Sequence, residues 1–146
     1  MSRAAKMGAA DILRHLQACD TGFSPRLSTR VDLTAYAEKL AAQALCFAHG
    51  EGALVGLVAV YANQPPRAFI SNVSVLPAYQ GQGIAQALMT QALDHLRGMG
   101  FTDVALEVAE DALPARKLYT RLGFRGSDVM VLNLGQDAPL VSDPRL

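Results

Sequence analysis

The sequence predicts a single mixed α/β domain in which helices cover both faces of a sheet. Two helical segments come first, and strands alternate with helices through the C-terminal half, which is the pattern of such a layered domain. The 146 residues are the length of one domain, and 51% of them are hydrophobic, which is enough for a core. No repeat or linker divides the chain, so we expect residues 1–146 to form one domain.

Four segments have the spacing of apolar residues that is typical of amphipathic helices. They cover residues 8–18, 32–44, 83–97 and 113–122. Asp32 is the expected N-cap of the second helix, because its side chain can accept a backbone hydrogen bond there. Pro114 falls in the first turn of the fourth helix, and Gly123 is expected to end that helix.

The segments between these helices read as strands and loops. The predicted strands cover residues 45–48, 54–61, 68–75, 102–108 and 129–134. Pro65 and Pro66 exclude residues 63–67 from a strand. Residues 21–30 are rich in Gly, Pro, Ser and Thr and are predicted to form a loop, and residues 135–146 are expected to fray.

Composition excludes several classes of function. Lys and Arg total 13, as do Asp and Glu, so the formal net charge is 0 and the basic excess of a nucleic-acid binder is absent. No apolar run approaches the ~18 residues of a membrane span, and residues 1–10 lack the apolar core of a secretory signal. Cys19 and Cys46 are too few for a disulfide scaffold, so we expect a cytoplasmic protein without a membrane partner.

The most informative segment is residues 73–89, where a strand leads through a glycine turn into a helix. Small residues let a ligand approach the backbone closely, and the free N–H groups and dipole of a helix N-terminus attract phosphate. The lysine of a Walker loop is absent, and Gln86 stands where a Rossmann fingerprint has its third glycine. The residues alone leave open whether Gly81 and Gly83 bind an anion or only join the strand to the helix.

Two motifs in this order resemble the GNAT N-acetyltransferase superfamily. Residues 80–85 (Gln-Gly-Gln-Gly-Ile-Ala) resemble its acetyl-CoA signature Arg/Gln-x-x-Gly-x-Gly/Ala, with Gln80, Gly83 and Ala85 at the defined positions. Residues 115–124 resemble its second motif, Ala-x-x-Leu-Tyr-x-x-x-Gly-Phe. The resemblance implies a mixed, mostly antiparallel central sheet of about six strands flanked by four helices, with the first strand truncated or absent.

The resemblance also implies a reaction and a set of contacts. An acceptor amine would attack the thioester of acetyl-CoA directly, and Tyr119 would protonate the leaving thiolate. Backbone amides of the glycine turn would hold the pyrophosphate, and the pantetheine arm would pair with the strand beside it. The cofactor-binding residues are expected to be Val73, Val75, Gln80, Gly81, Gln82, Gly83, Ile84, Ala85 and Gln86. The superfamily often has Asn where Ala112 stands, so one cofactor contact is either missing or partly replaced by Asp111.

Three residues are candidate catalytic groups. Tyr119 is either the general acid or a packing tyrosine on an amphipathic helix. Glu107 ends a strand near the expected cleft and is either a base, acting directly or through water, or a structural carboxylate. Asn72 contacts either substrate or an ordered water.

Other polar residues carry weaker expectations. His15, His49 and His95 lack metal-ligand spacing, so we expect packing or surface roles and no metal site. The two cysteines have no base partner apparent in the sequence, which argues against an acyl-cysteine intermediate. Four residues of the loop after the first helix either bind substrate or remain solvated: Ser24, Arg26, Ser28 and Arg30.

The chain is therefore predicted to be a cytoplasmic acetyl-CoA-dependent N-acetyltransferase that uses no metal. Dispersed acidic residues favour a small molecule with a primary amine over a basic peptide as acceptor. A homodimer is compatible with the sequence, and no nucleic-acid partner is expected. One alternative is a catalytically silent module on the same fold that binds CoA or acyl-CoA. Another is a nucleotide-binding regulatory domain.

Overall fold

The elements follow the predicted order in the computed structural model, which describes residues 2–5, 7–23, 26–50 and 52–135. The helices are α1 (Ala9–Cys19), α2 (Leu33–Gln43), α3 (Ile84–Gly98) and α4 (Leu113–Leu122). The strands are β1 (Ser2–Ala5), β2 (Leu45–His49), β3 (Gly56–Tyr61), β4 (Arg67–Val75), β5 (Asp103–Glu107), β6 (Arg125–Gly126) and β7 (Val129–Asn133). Apart from Gly135, the tail that was predicted to fray lies outside the described residues.

The strands form one sheet in the order β1-β2-β3-β4-β5-β7-β6. All neighbouring pairs are antiparallel except β4 and β5, which are parallel and are joined by the crossover helix α3. The mixed, mostly antiparallel sheet with four helices is thus confirmed. The described strands number seven rather than about six because β6, of 2 residues, was not predicted.

The first strand is present and short. β1 has 4 residues and pairs antiparallel with β2, from Ser2 opposite His49 to Ala5 opposite Cys46. The structure therefore agrees with a truncated strand and excludes an absent one. Its sequence, Ser-Arg-Ala-Ala, has no strand periodicity, and backbone pairing with a buried neighbour defines the strand instead.

Each face of the sheet has its own core. Strand side chains alternate between the faces, so Val58 and Val60 pack toward α3 and α4, while Leu57 and Ala59 pack toward α1 and α2. The first core contains large buried residues of α3 such as Leu88, Met89 and Leu96. The second contains Ile12, Leu16 and Leu40 from α1 and α2. The central strands are therefore held on both sides.

The predicted helix ends are confirmed where specific chemistry defines them. The Asp32 carboxylate caps α2 by accepting a hydrogen bond from the Ala35 N–H at 3.2 Å. Pro114 lies in the first turn of α4, where its missing N–H leaves no hydrogen bond unmade. Gly123 follows α4 with φ of 107°, a backbone conformation that glycine adopts readily.

None of the helices in the described residues is long and apolar enough to cross a membrane. Within the same part of the chain, no group of three or more His, Cys, Asp or Glu side chains could hold a metal ion.

Candidate active site

A cleft opens where the two parallel strands in the middle of the sheet separate. β4 pairs with β5 only from Arg67 to Ile70, and its last pair joins Ile70 to Leu106. β4 nevertheless continues to Val75 and stays paired with β3 on its other side. Among the described strands, none pairs with residues 71–75 on the β5 side. This stretch therefore has no strand partner on that side, and its backbone groups there are open to a ligand except for the Ser71 and Val75 carbonyl oxygens, which accept hydrogen bonds from side chains.

A β-bulge lies where the cleft begins. Ala59 pairs with Asn72 and Val60 pairs with Ile70, so Ser71 is the extra residue of β4. The bulge changes which face the following side chains occupy. Ser71 contacts α2, Asn72 and Ser74 face α1 and α2, and Val73 packs against the α3 and α4 core.

Asn72 belongs to a buried polar chain that links β4 to α1. His15 Nδ1 lies 3.2 Å from the Leu54 carbonyl oxygen, and His15 Nε2 lies 2.9 Å from Ser74 Oγ. Ser74 Oγ lies in turn 2.8 Å from Asn72 Oδ1. Burial lowers the pKa of His15 and favours a neutral imidazole, although the hydrogen bonds at Leu54 and Ser74 oppose this shift.

Two expectations about α1 need correction. His15 is a member of a polar network rather than a simple packing residue. Cys19 does have a basic partner, since its Sγ lies 3.7 Å from His15 Nε2. Burial raises the pKa of Cys19 to about 11, so the thiol stays protonated and remains a poor nucleophile. The four-residue spacing of His15 and Cys19 on a helix was the available signal for their contact.

Tyr36, on α2, is a site residue that the sequence did not single out. Its hydroxyl lies 2.6 Å from Ser71 Oγ and donates to the Ser71 carbonyl oxygen at 3.1 Å. Burial raises the pKa of Tyr36, and hydrogen bonding by Ser71 and Asn72 opposes that shift. The nearby Tyr61 hydroxyl is buried and has no hydrogen-bond partner among the described residues. Polar groups thus concentrate on the α1 and α2 face beside the cleft.

The glycine turn leads from the end of β4 into α3. Gly81 and Gly83 have φ of 82° and 81°, a region that residues with a side chain rarely adopt. Gly83 caps α3 without any side-chain hydrogen bond, so the first N–H groups of the helix are available to a ligand. A Cβ at either glycine would meet only open space within 4 Å, which is room for an approaching ligand.

Side chains around the turn fix its position. The Gln80 side chain donates from Nε2 to the Val75 carbonyl oxygen at 3.2 Å, which ties the turn to the strand. Ile84 is buried against β3, where Gly56 makes room for it: a Cβ on Gly56 would lie 2.8 Å from Ile84 Cγ2. These contacts hold the N-terminus of α3 beside the free edge of β4.

The remaining residues that were predicted to bind the cofactor differ in how far they are exposed to solvent. Gln82 and Gln86 are exposed, and Ala85 is half-buried. The Gln86 side chain accepts a hydrogen bond from Arg121 Nη2 at 3.2 Å, which joins α3 to α4. The backbone N–H groups of Ala85 and Gln86 lie in the first turn of α3, as an anion site requires.

Tyr119 lies on α4 in the core between that helix and the sheet. It is 7% exposed, and its ring centroid lies 5.9 Å from that of Phe124. Burial raises the pKa of Tyr119 to about 12, well above the ordinary value of 10 for a phenol. The phenol therefore keeps its proton throughout the neutral range.

Glu107 and Ala112 lie on either side of the connection from β5 to α4. Glu107 is the last residue of β5, is exposed, and by strand alternation faces α1 and α2 rather than the core that holds Leu106. Ala112 is the N-cap residue of α4 and makes no side-chain capping bond. The side-chain contact that asparagine would provide is therefore absent at this position.

The loop after α1 is partly fixed by its own hydrogen bonds. Asp20 accepts from the Ser28 N–H and the Ser28 hydroxyl, both at 2.7 Å, and these bonds hold the pKa of Asp20 below its usual value. Arg26 and Arg30 are exposed. Ser24 lies outside the described residues. Ser28 thus has a structural partner, and the two arginines are accessible to a ligand.

Comparison with known proteins agrees with this geometry. Residues 9–124 match the Acetyltransferase (GNAT) family, and the chain belongs to that family. A GNAT acetyltransferase from Brucella melitensis, solved in complex with acetyl-CoA, is 25% identical with a TM-score of 0.72, covering 95% of this chain and 92% of its own. The ribosomal-protein-S18-alanine N-acetyltransferase of Escherichia coli has the same fold at 20% identity, with a TM-score of 0.74 over 100% of this chain and 99% of that one.

Among curated relatives, the mycothiol acetyltransferase of Actinosynnema mirum is 48% identical over 52 residues, which are 36% of this chain and 18% of that protein. The match thus spans less than a fifth of that relative's length.

Proposed function

We propose that this chain is an acetyl-CoA-dependent N-acetyltransferase that acetylates a primary amine on a small molecule. The observation that carries the proposal is the continuity of two open backbone surfaces. The free β4 edge at residues 71–75 leads directly into the glycine turn and the uncapped N-terminus of α3. An extended molecule with a pyrophosphate at one end and an acyl group at the other fits this path.

The turn would hold the pyrophosphate. Backbone N–H groups from Gly81 to Gln86 and the positive end of the α3 dipole supply the attraction, so a chain with a net charge of 0 needs no lysine cluster. Exposed Gln82 lies within this segment, and Gln80 holds the turn against β4.

The pantetheine arm would take the place of a missing strand. Its amide groups can pair with the open backbone of Val73 and with the Val75 N–H, as a peptide adds to an exposed sheet edge, while the Val75 carbonyl oxygen accepts from Gln80. The side chains of both valines pack against the α3 and α4 core, which fixes the strand below the arm. The acetyl group would then lie near Ser71 and Asn72, where β4 and β5 separate.

The chemistry is a balanced acyl transfer. The amine nitrogen forms a bond to the thioester carbon, the carbon–sulfur bond breaks, and CoA leaves as a thiolate. The amine loses one proton, for which Glu107 is the proposed base, directly or through water, and the thiolate gains one.

Tyr119 is the proposed donor to the sulfur. A phenol with a pKa of about 12 is a weaker acid than a free thiol at about 8.5, so proton transfer from Tyr119 to the thiolate is uphill. We therefore assign Tyr119 a hydrogen bond to the developing sulfur charge, and the thiolate takes up its proton from water after the carbon–sulfur bond breaks.

Charge around the acceptor side supports a neutral or anionic small molecule. The loop between α1 and α2 exposes Arg26 and Arg30, and its Asp20 carboxylate is already engaged by Ser28. A basic peptide would find no dense acidic surface in this loop. We also place the protein in the cytoplasm, because a reducing compartment keeps the buried thiols of Cys19 and Cys46 reduced.

The test is a thiol-release assay with acetyl-CoA and three groups of acceptors. These are amino sugars and amino acids, lysine-rich peptides, and a peptide with an N-terminal alanine. The proposal expects turnover of the first group. Efficient acetylation of a peptide and of no small amine would overturn the acceptor class and leave the reaction intact.

Ligand-dependent melting separates this proposal from its alternatives. A ligand at ~100 times its Kd adds about 2.7 kcal/mol to stability, so acetyl-CoA and CoA should raise Tm whereas ATP and NAD should not. Stabilisation by acetyl-CoA with no turnover of any amine would favour a silent CoA-binding module. Stabilisation by ATP or NAD alone would favour a nucleotide-binding domain.

A further inference from the structure

Arg121, in the last turn of α4, reaches across to the N-terminus of α3. Its Nη2 atom donates a hydrogen bond at 3.2 Å to the side-chain oxygen of Gln86, which lies in the first turn of α3. Side chains of a helix lean toward its N-terminus, so this contact brings the guanidinium beside the glycine turn. A cation in the last turn also stabilises its own helix through the dipole, but that role requires no contact with another helix.

The positive charge of Arg121 is not neutralised by a carboxylate. Gln86 is a neutral acceptor, and Arg121 forms no ion pair within the part of the chain that the structure describes. The bond from Nη2 leaves other N–H groups of the guanidinium for a second acceptor, since arginine carries several. The side chain is exposed, so a ligand can reach these groups.

The segments that meet at this position contain no acidic residue near it. The chain has 13 acidic residues, but none lies between Glu51 and Asp94, a range that includes β4, the glycine turn and most of α3. None lies in α4 either, whereas that helix carries Arg116, Lys117 and Arg121. A chain with a net charge of 0 therefore keeps these segments free of groups that would repel an anion.

Acetyl-CoA has a further phosphate close to its pyrophosphate. A ribose joins the two groups, and the further phosphate is attached to the 3′ oxygen of that ribose. With the pyrophosphate on the backbone N–H groups at the start of α3, the 3′-phosphate lies one sugar ring away, where a side chain beside the helix can meet it. A guanidinium suits this role, because it can donate two parallel hydrogen bonds to one phosphate.

We propose that Arg121, oriented by the Gln86 side chain, binds the 3′-phosphate of acetyl-CoA and gives this chain its preference for that cofactor over the 3′-dephospho form. This inference rests on the proposed function and adds a specificity-determining residue to it. Gln86 then has two parts in the site, since its backbone N–H serves the pyrophosphate and its side chain orients the guanidinium.

The test measures the affinities of the original chain and two variants for CoA and for 3′-dephospho-CoA by isothermal titration. The original chain should bind CoA about tenfold more tightly or better, because only CoA offers a phosphate to Arg121. Arg121→Gln removes the charge, so its two affinities should agree within about twofold. Its affinity for 3′-dephospho-CoA should equal that of the original chain, because the pyrophosphate site is unchanged.

Arg97→Gln is the matched control, because it removes the same charge at the other end of α3. Arg97 pairs with Asp94 and lies about 16 Å from Gln86 along the helix axis, which exceeds the Debye length of about 10 Å at ~0.1 M salt. This variant should keep the full preference for CoA. Loss of the preference in Arg97→Gln as well would assign it to net charge and overturn the role of Arg121.

The remaining outcomes separate this inference from the proposed function. Equal affinities of the original chain for the two ligands would overturn the role of Arg121 and leave the proposed function standing. The role would also be wrong if Arg121→Gln kept the preference, or if it lost affinity for both ligands alike, which would place the guanidinium at the pyrophosphate. If the original chain binds neither ligand, the proposed function and this inference fail together.

Discussion

Ser71 and Asn72 are neighbours in the sequence, yet both side chains face α2, because Ser71 is the extra residue of a β-bulge. In a regular strand, consecutive side chains point to opposite faces, and Asn72 would lie on the same face as Ile70. The bulge instead moves Asn72 and Ser74 to the polar side and turns Val73 and Val75 toward the α3 and α4 core. One inserted residue thus separates an apolar face, which fixes the strand, from a polar face suited to an amine.

The glycine turn gives the first prediction. Gly83→Ala should weaken acetyl-CoA binding by about tenfold or more, about 1.4 kcal/mol, because the added Cβ occupies space open to the pyrophosphate. Gly100→Ala is the matched control, since Gly100 has a similar φ of 88°, has equally open surroundings, and lies beyond the other end of α3. Both variants should lose about 1–2 kcal/mol of stability from backbone strain.

Isothermal titration with acetyl-CoA and urea unfolding of both variants check this prediction. Equal affinities in the two folded variants would show that the turn does not hold the cofactor.

Tyr119 gives the second prediction. Tyr119→Phe keeps the ring that packs at 5.9 Å from Phe124 and removes only the hydroxyl. If that hydroxyl stabilises the developing thiolate, kcat should fall by about 10²–10⁴-fold with acetyl-CoA affinity unchanged. Single-turnover thiol release isolates the chemical step. A variant that keeps its full single-turnover rate would remove Tyr119 from the mechanism.

The sequence was sufficient for elements whose signal is local. The boundaries of α4 agree with the prediction at both ends because Pro114 and Gly123 mark them chemically. Asp32 likewise identified the start of α2 through its capping side chain. Short strands carried a weaker signal, so β6 was missed and β1 was left between truncated and absent. Pairing with a neighbouring strand defines these elements, and it depends on residues far away in the sequence.

The polar side of the site could not be read from local patterns. His15 and Ser74 are 59 positions apart in the sequence, and no local sequence pattern at either residue predicts their contact. A partial signal was present in α1, since His15 falls between Ile12 and Leu16 on the buried face of that helix. A histidine on an apolar stripe requires a hydrogen-bond partner, but the sequence does not say which one. The face that Asn72 occupies depended on the bulge, which the sequence did not mark.

His15 gives a prediction for stability against pH. Burial lowers the folded pKa of His15 below its unfolded value of 6.5, so below that pH the unfolded chain binds more protons than the folded one. The contribution of the neutral His15 to the free energy of unfolding is therefore fully present above pH 6.5. It is lost as the pH falls toward the folded pKa, at up to about 1.4 kcal/mol per pH unit.

Urea unfolding at pH 7.5 and 5.5 measures this loss. His15→Gln cannot titrate, so it should lose less stability between the two pH values than the original chain does. A His15→Gln variant with the same pH dependence as the original chain would mean that His15 does not titrate differently on folding.

The proposed base gives the last prediction. Glu107 ends β5 on the face of the sheet that carries Asn72 and Tyr36, where β4 and β5 separate, so an incoming amine would meet its carboxylate there. Glu107→Gln keeps the size of the side chain and removes its ability to take a proton, so kcat/KM for the amine should fall by about 10²-fold or more. The loss should be smallest at high pH, where a larger fraction of the amine arrives as the neutral nucleophile and only the one proton released on attack remains to be removed. Glu110→Gln is the matched control, because Glu110 is equally exposed but lies in the turn beyond the strand.

Steady-state thiol release from pH 6 to 9 distinguishes the outcomes. Equal rates for the two variants at every pH would assign proton removal to water or to the acceptor itself, since neither carboxylate would then influence the amine.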